Sequence, residues 1–205
     1  MLLIHIFLVA ASLLSISLLP KAEYVIVKGN KITVQAHTSL GNINCAYTSN
    51  NQKDTLYLNR FHPVKDRLKL SIPVQKFNCG NPILNRDFAN TLNVKKYPDI
   101  KIELISLNKQ SKDYRGELKM ELAGKTIILD DVQFLASCAN NSNVLKSNIC
   151  LNFSEIGLET PQKLGGLFKV KDELQITVEL QLSNQDRLKS STNTIAISKE
   201  SKSQL

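Results

Sequence analysis

The sequence predicts an all-β domain whose antiparallel sheet closes into a barrel or folds into a sandwich. Three observations carry this. Apolar and polar residues alternate through most of the chain, turn residues punctuate the alternation at short intervals, and a single helical stripe interrupts it. Period-two alternation puts one row of side chains on a buried face and the other in water. It runs through Ile32, Val34 and Ala36, through Ile43, Cys45 and Tyr47, and through Leu118, Met120 and Leu122. The longest example is Leu174, Ile176, Val178, Leu180 and Leu182. Turn signals separate the runs at Gly29-Asn30, Ser49 to Asn51, Gly124, Asn140 to Asn143 and Gly165-Gly166. Asp130-Asp131 sits awkwardly inside Thr126 to Leu135 and reads as a bulge or bend.

The stretch from Ile72 to Leu104 is the most varied. Leu68, Leu70, Ile72 and Val74 form an inward row. Pro73 lacks a backbone donor, which places the strand at an edge, an end or a bulge. Asn81-Pro82 is a helix start, with Asn as cap and Pro at the first helical position. Leu84, Phe88 and Leu92 follow at spacing four and share one stripe, predicting a short helix over about Leu84 to Leu92. Arg86, Asp87 and Asn90 fall on its water side. Tyr97-Pro98 breaks the segment, and Ile100, Ile102 and Leu104 resume the strand pattern. So short a helix is marginal alone. Its stripe needs an apolar partner, such as the inner surface or mouth of a curved sheet.

Residues 1–22 read as a secretion signal, because Met1 to Leu19 are almost wholly apolar. No Lys or Arg precedes the run, and cleavage after Ala22 competes with cleavage after Ser17. The run is also about long enough to stay as a membrane anchor. The remainder suits one domain, residues 23–182, large enough to bury a core without staples. Residues 183–205, rich in Ser, Lys, Asn and Gln, read as a disordered tail. The formal net charge of +8 is spread without a basic face bearing interleaved aromatics. Nucleic-acid binding is therefore not expected, although weak attraction to an anionic membrane surface is compatible.

Four cysteines, Cys45, Cys79, Cys138 and Cys150, fit an oxidising compartment and two disulfides. Sequence admits three connectivities. Locality favours Cys138 with Cys150, leaving Cys45 with Cys79, each bridge contributing roughly 2–4 kcal/mol. The cysteines lack zinc spacing, and no metal or other cofactor is expected. The sequons at Asn140 and Asn152 read as accidental.

These residues resemble the YceI-like family of exported, lipocalin-like barrels. IPVQKFNCGN followed by NRDFANTLNVKKYPDIKIEL is similar to the family's strand, turn, helix and Tyr-Pro strand. GELKMELAGKTIILDDVQF is similar to its hairpin with a small residue at the tip. FSEIGLETPQKLGGLFKVKDELQITVELQL is similar to its closing segment, with Glu155-Ile156-Gly157-Leu158 where the family has Asp-Phe-Gly. The matches span Lys31 to Leu182. The cysteines are not general in the family, and Gln52 to Asp66 matches poorly.

The resemblance implies an eight-stranded antiparallel barrel with an apolar interior, exported to the periplasm or beyond. It also implies a long isoprenoid or related lipid as ligand. Such a barrel is just wide enough to be filled by side chains or to hold one slender guest. The expected lining is Leu70, Ile72, Val74, Ile102, Leu104, Leu118, Met120, Phe153, Ile176 and Val178, with Phe88 and Leu92 from the helix. A cavity of several hundred cubic ångströms would mark a ligand site, whereas a packed centre would mark ordinary core. Catalysis is not expected: the sequence holds no Gly-x-Ser-x-Gly elbow, no His-Glu-x-x-His and no phosphate loop, and His37 and His62 stand outside any motif. The alternative is a partner-binding or scaffolding barrel without a small ligand, using an apolar patch or sheet edge near Tyr57, Leu58 and Phe61.

Overall fold

The alternating segments form one antiparallel sheet in a computed structural model that describes residues 23–61, 63–139, 142–163 and 168–183, a few of them by backbone alone. The predicted signal segment and all but Ser183 of the predicted tail lie outside the described residues, as does His62. In chain order the strands are β1 (Tyr24–Thr38), β2 (Gly41–Ser49), β3 (Asp54–Tyr57), β4 (Arg60–Phe61) and β5 (Leu68–Pro73). The helix α1 (Pro82–Thr91) follows. Then come β6 (Asp99–Gln110), β7 (Asp113–Leu122), β8 (Lys125–Ala139), β9 (Ser142–Asn152), β10 (Gln162–Lys163) and β11 (Phe168–Leu182).

The strand order is β2-β1-β11-β9-β8-β7-β6-β4, with β3 sharing the β2 side of β1 and β5 pairing with β6. This gives the eight positions of the expected barrel. The sheet curls, and its inward rows meet in one core. The long strands feed that core through the predicted parity: Ile32 and Val34 from β1, Leu118, Met120 and Leu122 from β7, and Leu174, Ile176, Val178, Leu180 and Leu182 from β11 are buried.

Bulges bend the strands so that the sheet can curl. One lies at Asp130-Asp131, where the β7–β8 register shifts between Gly116 and Leu118 and Asp131 takes a φ of 58°. A second lies between Leu104 and Ser106 of β6. Opposite it sits Gly116, where a Cβ would come within 2.1 Å of the Ser106 carbonyl oxygen. The β7–β8 hairpin turns on Ala123-Gly124, both at positive φ, and the Tyr97 ring packs against the bare face of Gly124.

Pro73 ends β5, which among the described residues pairs only with β6. The chain then leaves the sheet in a 3-10 turn over Val74 to Lys76. No ladder joins the β2 edge to the β5 edge among the described residues. The segment after β5 lies in this seam instead. Asn78 exchanges two backbone hydrogen bonds with Ala46 of β2, both 2.9 Å, and Cys79 is bonded to Cys45. The sheet is thus a curled, incompletely laddered barrel with a cross-linked strap.

The second expected bridge does not form. Cys150 is free and exposed. Cys138 pairs across the β8–β9 hairpin with Asn143, seven positions from Cys150, and its side chain lies outside the described ones. At about 3.4 Å per residue that offset far exceeds the span of a disulfide. Closeness in sequence misled because the hairpin holds the two cysteines at different heights on neighbouring strands. The expected patch near Tyr57 also changes: Leu58 is buried, Tyr57 packs edge-on against Tyr24, and the side chain of Phe61 lies outside those described.

Candidate functional site

The helix that covers one end of the core is placed by its cap. The Asn81 side chain accepts a hydrogen bond of 2.9 Å from the Leu84 amide, and Pro82 opens the first turn. The helix ends at Leu92, and Asn93 takes the left-handed conformation that closes many helices. The end therefore comes five residues before Tyr97-Pro98. Its stripe, Leu84, Phe88 and Leu92, turns inward as expected. The Phe88 ring lies 5.0 Å from that of Phe77, which in turn lies 5.9 Å from Tyr47 of β2.

Beneath α1 is an apolar slot of about 90 Å³. Of the expected lining, Phe88, Leu92, Ile102, Met120, Phe153 and Ile176 face it. Leu70, Leu104, Leu118 and Val178 lie further along, around a gap of only about 10 Å³ that Phe134 and Leu180 help to close. Ile72 and Val74 are buried and border neither space. One half of the interior is therefore packed core, and the other half, beneath the helix, holds the slot. At about 90 Å³ it falls short of the several hundred cubic ångströms that would mark a ligand cavity, and Leu84, Phe88 and Leu92 form its helix-side wall.

Sequence reasoning missed the contribution of β1 and β2. Ile32, Val34, Ala36, Ile43 and Cys45 line the slot, as do Ile100, Leu122, Val170 and Leu174. Their alternation was visible, but which rows end under the helix depends on sheet order. Leu158 and Pro161 reach the slot from an irregular loop, where no periodic signal exists. Arg86 and Asn90 face water as expected, but Asp87 does not: it is half-buried on the slot wall beside Thr91. The Thr91 hydroxyl donates to the Asp87 carbonyl at 2.9 Å.

The slot opens beside a polar depression. The two share Thr91, Leu158 and Pro161, and the depression adds Asn90, Ser154, Gly157, Glu159, Thr160 and Asp172. Asp172 accepts hydrogen bonds from the Ser154 hydroxyl and, at 2.9 Å, from its amide; these hold its carboxyl below the usual carboxylate range. Asp172 is thus ionised at neutral pH, and the mouth is polar where the interior is not. Burial in such a slot favours apolar groups, whereas the rim favours polar ones.

His37 is not part of this site. Its Nδ1 lies 2.7 Å from the Asn42 side-chain oxygen on an exposed hairpin. Among the described residues no group of three His, Cys, Asp or Glu is placed to hold a metal ion, and no helix is long and apolar enough to cross a membrane.

A family model described as YceI-like domain matches residues 25–182. Among curated proteins, none matches the sequence. Solved structures share the fold, two of them as follows. BcnA of Burkholderia cenocepacia superposes with a TM-score of 0.56 at 18% identity, covering 75% of this chain and 96% of its own. A polyisoprenoid binding domain from Saccharophagus degradans, implicated in plant cell wall breakdown, superposes with a TM-score of 0.52 at 8% identity. That match covers 79% of this chain and 98% of the domain.

Proposed function

Since this chain belongs to the YceI-like family, we propose that it is an exported lipid-binding barrel that seats a slender apolar chain of isoprenoid type beneath α1. The observation that carries the reading is the slot itself: an apolar wall built from five strands and one helix face, next to a polar mouth. The polyisoprenoid binding named for the Saccharophagus domain supports the ligand class. Each methylene that leaves water contributes about 0.8 kcal/mol, so the job needs no covalent chemistry. The reading is accordingly non-catalytic. At about 90 Å³ the slot takes the end of a chain; seating more requires Phe88 and Leu92 to swing outward with α1. The Cys45–Cys79 bridge supports export to an oxidising compartment.

The test uses cis-parinaric acid, a polyene chain whose fluorescence rises in an apolar site. The full chain is expected to bind it, a polyprenol is expected to displace it, and Ala36→Trp is expected to abolish binding without unfolding the sheet. Equal binding by Ala36→Trp, or none by the wild type, would overturn the assignment.

A further inference from the structure

Building on the slot as a ligand site, we propose that the Cys45–Cys79 bridge is a redox latch that holds α1 over the slot and so controls exchange of the guest. Three features place the bridge in that role. It crosses the seam between the β2 and β5 edges, which no ladder closes among the described residues. Cys45 itself lines the slot. Cys79 is tied to the helix, because its amide donates to the Asn85 side-chain oxygen at 2.7 Å and Asn81 caps the helix two residues later.

The strap and α1 therefore move as a unit. With the bridge intact, α1 is anchored to β2 by a covalent bond just before its first turn. No residue within α1 is fully buried, so its packing alone is a light restraint. Once the bridge opens, what remains at the seam is the pair of Ala46–Asn78 hydrogen bonds and the stacking of Phe77 between Tyr47 and Phe88. Both sulfurs are buried, but exposed Asn78 and Gly80 flank Cys79 whereas Cys45 lines the slot, so a local opening of the strap presents Cys79. A dithiol reductant attacks it as a thiolate and releases the Cys45 thiolate. Its second thiol then displaces Cys79. The reductant leaves as a cyclic disulfide, and two electrons and two protons pass to the cysteines.

The experiment loads the oxidised full chain with cis-parinaric acid and follows release before and after dithiothreitol, with Cys45→Ser/Cys79→Ser as a second arm. Amide exchange over 82–92 is read in the same samples. Opening the bridge is expected to speed release by about tenfold and to speed exchange in α1 while strand amides stay protected. Unchanged release and exchange in both arms, or a bridge that survives dithiothreitol while the protein is folded, would overturn the latch. If the oxidised protein fails to bind the probe, the ligand assignment falls and the exchange readout alone decides the latch. If the double variant fails to fold, reduced wild type carries the same comparison.

Discussion

Ser147 stands on the inward row of β9, 1% exposed, opposite Val178, and its hydroxyl has no hydrogen-bond partner among the described residues. A buried hydroxyl without a partner costs roughly 1–3 kcal/mol. Ser147→Ala is therefore expected to raise stability by about 1 kcal/mol in urea unfolding; a loss of stability would mean that the hydroxyl is satisfied in solution. Glu121 shows the opposite case, a charge that is satisfied. Lys119 and Lys101 donate to it at 3.1 and 3.2 Å, and these hydrogen bonds hold its carboxyl below its ordinary pKa of 4.5. The folded value is depressed, so the stabilisation is present above pH 4.5 and is lost as pH falls below it. Glu121→Gln is expected to flatten the acid limb of Tm against pH and leave the neutral region nearly unchanged, since exposed pairs contribute little. At this scale the sequence was informative about parity and silent about partners. Alternation put Met120 and Ile176 inside, but nothing in it showed that Asp87 would sit on the slot wall.

Among the elements, α1 depends most on local chemistry. Its cap, first-turn proline and inward stripe are all visible in Asn81, Pro82 and Leu84. Its end was less legible, because Asn93 in the left-handed region stops it before the proline does. Asn81→Ala removes the hydrogen bond to Leu84 and is expected to cost about 1 kcal/mol of stability. It should also loosen α1, read as faster amide exchange over 82–92 than in the strands; equal exchange would show that the cap does not set the helix's place. The bulge at Asp130-Asp131 was legible because an unbroken strand would turn Asp131 into the same row as Ile127 and Leu129. The bulge at Ile105 was not, since Leu104 and Ile105 are both apolar and both end buried.

For the whole molecule, the barrel follows from many short runs of alternation, and the inward rows of long strands such as β7 and β11 are readable without knowing their neighbours. Closure is a different kind of property. The seam arises because β5 ends at Pro73 and the strap, rather than another strand, meets β2. That depends on contacts between Ala46 and Asn78, far apart in sequence, which no local pattern encodes. The same holds for the slot: the rows from β1 and β2 meet the helix only once the sheet curls, so their share of its wall could not be assigned from periodicity. Cys138 and Cys150 show the converse hazard, since residues near in sequence are held apart by strand register.

The central claim is that the space under α1 shelters a hydrocarbon chain. The most direct measurement is mass spectrometry of the organic extract of the protein purified from its own cells, compared with the Ala36→Trp variant prepared identically. The account predicts a reproducible long-chain, isoprenoid-type lipid in the wild-type extract and its loss from the variant. An extract with no such lipid, or the same lipid at the same level in both, would contradict it.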